Sequence, residues 1–187
     1  MHETVWLGRG GQGAFTAARL LGIAAMLSGK QAMALPSFGP ERRGAPVFAY
    51  TRIDERQVYD RSAVRRADAA VILDESLLTQ VPTGFLTPET LLIIDSDDPQ
   101  APPPAVVSRR IVRIPARRIA REVLGSEHTN AVLFGALVGL GRVVPKADAE
   151  EAIRSELGTG SKGVKNLEAF QQAWALGAEQ AEEVAHA

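Results

Sequence analysis

The run Gly8-Arg9-Gly10-Gly11-Gln12-Gly13 lies between a short apolar stretch, residues 4–7, and a long segment rich in alanine and leucine that begins near residue 12. Glycines at such a junction read as strand, tight turn and helix, because the turn needs their backbone freedom and the apolar pattern changes across it. The first N–H groups of the helix then have no partner within the helix and sit at the positive end of its dipole. An anion fits that place.

Gly8, Gly10 and Gly13 satisfy the spacing G-x-G-x-x-G. A dinucleotide site also takes an acid about 20 residues on, at the end of the second strand, to hold the ribose 2′-hydroxyl. Here the second strand candidate, residues 31–35, reads Gln-Ala-Met-Ala-Leu, and the next acid, Glu41, falls beyond Pro36. No Gly-Lys-Ser or Gly-Lys-Thr follows the glycines, so a Walker-type phosphate loop is missing too. A free-standing nucleotide-binding reductase is therefore disfavoured. Taken alone, the segment leaves two readings open: an anion-handling edge, or glycines that only permit a turn and close packing.

A second cluster follows, Phe38-Gly39-Pro40-Glu41-Arg42-Arg43-Gly44-Ala45-Pro46. Its prolines stiffen the loop, while Gly39 and Gly44 allow the backbone close to another surface. A guanidinium held there can grip a phosphate bidentately. The alternatives are an ion pair with Glu41 or simple solvation. One acid cannot hold two adjacent arginines in good geometry, so at least one is expected to serve an external or intersubunit carboxylate or phosphate.

Trp6-Leu7-Gly8-Arg9-Gly10-Gly11-Gln12-Gly13 together with Ser37-Phe38-Gly39-Pro40-Glu41-Arg42-Arg43-Gly44-Ala45-Pro46 resembles the gamma subunit, or gamma domain, of 2-oxoacid:acceptor oxidoreductases. Pyruvate:ferredoxin oxidoreductase is the best-known member, with indolepyruvate, 2-oxoglutarate and phenylglyoxylate enzymes as relatives. Asn130 with Gly135-Ala136-Leu137, then Asn166-Leu167-Glu168-Ala169-Phe170, look like the family's C-terminal landmarks. The resemblance spans the chain, with most of its specificity in residues 6–46.

The resemblance implies a complex that oxidatively decarboxylates a 2-oxoacid on thiamine diphosphate with magnesium and passes the acyl group to coenzyme A. Electrons leave through iron–sulfur clusters to ferredoxin or NAD. It implies alpha and beta subunits that bind thiamine diphosphate and a delta subunit or domain that carries the clusters. The present chain would then be one gamma-type domain over residues 1–187, holding no cofactor and no catalytic residue of its own. Gly10, Gly11, Gln12, Gly13, Arg42 and Arg43 are its candidates for lining the coenzyme A approach. The competing reading from the same motifs is a non-catalytic scaffold that only holds neighbouring subunits.

Composition agrees with a dependent role. The chain has no cysteine, which removes disulfides, a thiolate nucleophile and cysteine-ligated clusters. His2, His128 and His186 show no ligand spacing, so no metal site is expected. A net charge of −1 gives no field to recruit nucleic acid. No apolar run approaches the ~18 residues of a membrane span. Arg19, the apolar residues 20–27 and Ala32-Met33-Ala34 imitate a signal peptide, but the glycine turn and strand pattern before them favour a cytoplasmic protein.

With 187 residues, 45% of them apolar, one well-packed domain is expected. The helix from residue 12 to 28 is apolar on most faces and should be buried. Residues 31–35 and 47–53 read as neighbouring antiparallel strands joined by the proline and arginine loop, and residues 69–73, 91–95 and 111–114 as further strands. Helices are expected over 116–124, 130–141, 148–157 and 164–183. This pattern predicts a single three-layer α/β domain with a central mixed sheet, helices on both faces and helices at the C-terminal end.

Three further features carry weaker expectations. Arg109, Arg110, Arg113, Arg117, Arg118 and Arg121 form the densest basic stretch, read as a solvated surface or a docking face. Gly158-Thr159-Gly160-Ser161-Lys162-Gly163 reads as a helix connection or a second anion nest. Asp74, Glu75 and Asp95 end strands with no histidine, metal set or nucleophile beside them in the pattern, and are given no chemistry.

Overall fold

Along the central strands every second residue is apolar on the same side, and both faces of the resulting sheet are filled. The structure is a computed structural model and describes residues 1–37, 45–82, 84–98, 106–141 and 143–185, with side chains to residue 181. The strands are β1 His2–Arg9, β2 Gln31–Pro36, β3 Pro46–Asp54, β4 Ala69–Ile72, β5 Leu91–Asp95 and β6 Arg110–Ile114. They form one sheet in the order β2-β3-β1-β4-β5-β6. β1 runs antiparallel to β3 and parallel to β4, and the parallel pairing continues through β5 to β6. β2 pairs antiparallel with β3, as the sequence pattern predicts. The sheet is therefore mixed.

Register aligns Trp6, Val71 and Ile93 in one row and Leu7, Ile72 and Ile94 in the next, on opposite faces, all of them buried. The first row faces the helices: α1 Ala14–Leu27, α2 Ala116–Leu124, α3 Asn130–Gly141, α4 Lys146–Leu157 and α5 Ser161–Ala185. Buried residues of all five join Trp6, Val71 and Ile93 in one apolar core. Burying aliphatic side chains of this size contributes roughly 1.5–3 kcal/mol each, so this layer supplies most of the folding energy. Trp6 brings a polar edge into it, and its Nε1–H donates to Thr51 Oγ1 at 3.2 Å while the Thr51 hydroxyl donates to Ala18 O at 2.9 Å.

The opposite face has a thinner cover. A 3-10 turn over Glu75–Gln80 places Leu77 against Leu7, Ile72, Leu92 and Ile94, and loop residues Val64, Ala67 and Phe85 pack on Val5 and Tyr50. Helical cover on this side consists of that one turn, among the described residues. Arg52 is 2% exposed here. Its Nε donates to Glu3 Oε1 at 2.7 Å and its Nη1 to Asp60 O at 2.6 Å, which clips the loop after β3 to the sheet.

α1 starts at Ala14, two residues later than the pattern predicts, because Gly13 takes the left-handed conformation at φ 85° and so lies outside the helix. α5 starts at Ser161, three residues earlier than predicted. Gly160 and Gly163 look like loop residues in the sequence, yet a β-carbon at Gly163 would overlap the Gly158 carbonyl. That position keeps its glycine for packing inside the helix start.

Candidate functional site

β1 ends at Arg9, and the chain turns through Gly10, Gly11 and Gln12 before α1 begins. Gly11 (φ 94°) and Gly13 (φ 85°) both need a left-handed backbone. Gln12 closes the turn on itself, its Oε1 accepting from Arg9 N at 2.6 Å. Gly10 N donates to Ala45 O at 2.9 Å. Gly10, Gln12 and Gly13, whose carbonyl accepts from Ala17 N at 3.0 Å, thus each have a polar group engaged within the fold, while Gly11 borders open space.

The turn is braced from β4. Arg9 Nε donates to Asp74 Oδ2 at 2.8 Å, Arg9 Nη2 donates to Ser76 Oγ at 2.7 Å, and Ser76 N donates to Asp74 Oδ1 at 3.1 Å. Partial burial pushes the Asp74 carboxyl upward, but the bonds from Ser76 and Arg9 outweigh it and hold the group below its ordinary range. Asp74 is structural support for the glycine turn, as its ionised form accepts both neighbours.

Two adjoining hollows open beside the turn. The larger, about 670 Å³, is lined by Gly11, Gly13 and Thr16 on one wall, by Ser126, His128 and Asn130 on a second, and by Ser161, Lys162, Lys165 and Asn166 on a third. The smaller, about 370 Å³, shares Gly11 and His128 with it and extends past Gln12 and Asp74 to Arg117 and Glu127. The larger falls in the size range of ligand cavities. N-termini of α1, α3 and α5 all reach it, and no acidic residue lines it. Both features favour an anion.

Gly13 also explains how closely the first two walls meet. A β-carbon there would lie 3.0 Å from Asn130 Nδ2, so alanine would press on the start of α3. Asn166, 4% exposed, donates from Nδ2 to Lys162 O at 2.8 Å, while its Oδ1 has no hydrogen-bond partner among the described residues.

Arg42 and Arg43 lie outside the described residues, as does the rest of 38–44. The ends of that segment are described. Ser37 N donates to Phe48 O at 2.8 Å, and Ala45 O receives the Gly10 N–H at the glycine turn. The two sequence clusters therefore meet at the end of the β1–β3 ladder through Gly10 and Ala45.

The basic stretch is partly absorbed by the fold. Arg113 pairs with Glu75 at 3.6 Å, Arg117 with Asp95 at 3.5 Å and Arg121 with Glu127 at 2.7 Å. Arg109, Arg110 and Arg118 are exposed. Burial pushes the Asp95 carboxyl up to about 6, against the pull of the Arg117 backbone N–H, which donates to Asp95 Oδ1 at 3.0 Å, and of the Arg117 charge. Among the described residues no cluster of three or more histidines, aspartates and glutamates could hold a metal ion, and no helix is long and apolar enough to cross a membrane.

Sequence reading missed Thr16, Ser126, His128 and Lys165 as cavity residues. For Lys162, Lys165 and Asn166 a signal existed: the spacing i, i+3, i+4 puts them on one side of a helix once the helix is known to begin at Ser161.

The strand-glycine-helix turn on a mixed sheet, closed by a long helix, defines an α/β module, and the comparisons with known proteins give its class as the gamma type of 2-oxoacid oxidoreductase subunit. A family model described as pyruvate ferredoxin/flavodoxin oxidoreductase matches residues 3–176, and the chain belongs to this family as a subunit of an oxidoreductase acting on 2-oxoacids. It is 38% identical over 178 residues to the pyruvate/ketoisovalerate oxidoreductases common subunit gamma of Pyrococcus furiosus, covering 93% of this chain and 96% of that one. With pyruvate synthase subunit PorC of Methanothermobacter thermautotrophicus it shares 40% identity over 176 residues, covering 93% and 94%. Among solved structures, the gamma subunit of keto/oxoacid ferredoxin oxidoreductase from Geobacter sulfurreducens superposes with a TM-score of 0.79 at 27% identity, covering 96% of this chain and 99% of that one.

Proposed function

We infer that this chain, acting over residues 1–187 as one gamma-type domain, shapes the coenzyme A approach of a cytoplasmic, thiamine diphosphate-dependent 2-oxoacid oxidoreductase. The complex oxidatively decarboxylates a 2-oxoacid to an acyl-CoA and passes the electrons to ferredoxin or NAD. Thiamine diphosphate and its magnesium belong to alpha and beta subunits. Iron–sulfur clusters belong to a delta subunit or domain, since a chain without cysteine offers them no thiolate. Gly10, Gly11, Gln12, Gly13, Arg42 and Arg43 are assigned to the approach or to the seam beside it.

The observation that carries this reading is the 670 Å³ cavity at the start of α1, with lysines and no carboxylate in its lining. Coenzyme A is a polyanion, and such a lining attracts its phosphates and repels none of them. Backbone N–H groups at the glycine turn are donors of the kind phosphate oxygens accept, and Arg42 and Arg43 are assigned beside them from the sequence.

Titration of the assembled enzyme with coenzyme A after Arg42→Ala and Arg43→Ala tests the assignment. The apparent KM for coenzyme A is expected to rise about tenfold in at least one, the size of one charge-assisted hydrogen bond. Unchanged saturation in both removes the binding role. A scaffold reading has its own support, because Gln12 and Gly10 use a side-chain oxygen and a backbone N–H to fix the turn. On that reading the same substitutions lower the yield of complex and leave acyl-acceptor kinetics as they were.

A further inference from the structure

β6 is one edge of the sheet, and among the described residues no strand pairs with its outer side. A hollow of about 170 Å³ opens there. Its lining takes the consecutive residues Arg109, Arg110, Ile111 and Val112. Val112 packs toward the helices and Ile111 toward the opposite face, so the hollow lies on the rim of the strand rather than on either side of the sheet. Gln180 of α5 closes it, and the Gln180 Oε1 is buried with no hydrogen-bond partner among the described residues. A buried acceptor in that state is destabilising until a donor reaches it. The start of the strand is held in place, with Ser108 Oγ donating to Thr90 O at 2.6 Å and Arg109 N to Pro88 O at 3.1 Å. Arg113 and Arg117 of the same basic stretch are taken up by Glu75 and Asp95. Arg109 and Arg110 are exposed and make no ion pair among the described residues, although Glu89 borders a neighbouring hollow together with Arg110.

A hollow of this volume is below the ~300 Å³ at which small-molecule sites begin, and it suits a single side chain. Open backbone along a strand calls for another strand. Charge selects which one. Two copies of β6 laid edge to edge would bring four exposed guanidinium groups to one seam, whereas a segment bearing carboxylates pairs with them. We propose that β6 is a docking edge for a companion subunit of the oxidoreductase, which adds an extended segment alongside it, sets one donor-bearing side chain in the hollow against Gln180 Oε1 and faces Arg109 and Arg110 with carboxylates. The proposal rests on the membership of this chain in a multisubunit family and not on the coenzyme A reading, so either can fail without the other. It also divides the basic stretch: Arg113, Arg117 and Arg121 hold the fold together, and Arg109 and Arg110 hold a partner.

Hydrogen exchange read by mass spectrometry on a peptide covering residues 109–114, in the isolated chain and in the assembled complex, tests the strand addition. Assembly is expected to slow the outward amides of β6 at least ~10-fold. Equal exchange in the two states overturns the proposal. Protection of the isolated chain that grows with its own concentration overturns it as well, since the occupant would then be a second copy. Two variants test the side chains through the dissociation constant of the chain from the complex. Gln180→Leu removes the acceptor at nearly constant volume, and it is expected to raise that constant roughly tenfold, the size of one hydrogen bond, while the Tm of the isolated chain stays the same or rises. Arg109→Glu combined with Arg110→Glu should raise it roughly 100-fold at low salt and less at high salt. Arg118→Glu reverses an exposed charge outside the lining of the hollow and should leave it within about twofold. A rise in either test variant above that of Arg118→Glu supports the proposal, and unchanged dissociation in both overturns it.

Discussion

Asp95 is the residue whose environment most opposes its charge. Its carboxyl is buried at the start of α2, receives the Arg117 N–H at Oδ1, and has Oδ2 3.5 Å from the Arg117 guanidinium without a hydrogen bond. Its pKa in the fold, about 6, lies above that of an aspartate in the unfolded chain. Between those values the folded state binds more protons than the unfolded one, so this group makes the protein less stable as pH rises from ~4 to ~6 and adds no further change above that. The effect amounts to about 3 kcal/mol at most. Asp95→Asn keeps an oxygen for the Arg117 N–H and removes the titration. Denaturant midpoints at pH 4.5 and 7.5 should therefore lie closer together, from this contribution, in the variant than in the parent. An unaltered gap between the two would show that the carboxyl titrates normally. Asp74, which caps the 3-10 turn just past β4, behaves oppositely because Ser76 and Arg9 satisfy it. That difference was not legible in the sequence, where Asp74 and Asp95 carry the same signal.

At the scale of elements, the α3–α5 contact is set by glycine. A β-carbon at Gly135 would overlap the Phe170 carbonyl, one at Gly139 the Trp174 carbonyl, and one at Gly177 would lie 2.7 Å from Ala136 O. The two helices approach backbone to backbone, and Phe134 and Phe170 fill the adjacent space with ring centroids 5.4 Å apart. Gly135→Ala gains helix propensity on paper, but here it forces the helices apart and should destabilise by about 3 kcal/mol, read as a lower Tm and a lower denaturant midpoint. A neutral or stabilising result would mean that the helices slide at little cost. The sequence marked α3 as internal through its apolar residues, yet it held no sign of which helix would lie against it. Strand, turn and helix at the start of the chain were legible because glycine spacing and a change of period are local signals. The 3-10 turn after β4 was not, since its Leu77 and Leu78 give too short a pattern to distinguish from loop.

For the whole molecule, the strand order and the unequal cover of the two faces matter more than any single contact. β1 lies between β3 and β4 and is buried along Thr4–Gly8, whereas β2 forms one edge and is nowhere fully buried. In the purified protein, amide hydrogens of β1, β4 and β5 should exchange only through global unfolding, and those of β2 that face outward at least ~100-fold faster. Mass-spectrometric exchange on peptides covering residues 2–9 and 31–36 distinguishes the two. Equal protection would mean that another surface covers the β2 edge. A mixed sheet was predictable from a hairpin-like pair followed by short apolar strands, but the insertion of β1 between β3 and β4 was not, as strand order depends on contacts that local periodicity does not encode. The same limit applies to the site. Gly11 and Gly13 could be named from their neighbours in the sequence, whereas Lys165 and Asn166 join them only because the start of the last helix borders the same hollow.

The convergence of distant segments on that hollow bears on how the protein is made. The cavity takes its walls from residues 11–16, 124–130 and 157–166, so a nascent polypeptide has no such seat until residue 166 has left the ribosome. Any small molecule that occupies the seat binds finished chains and ignores partial ones, and by mass action it shields them from proteolysis in proportion to its concentration. A ligand seated in that one hollow would tie the lifetime of the newly made subunit to its own supply.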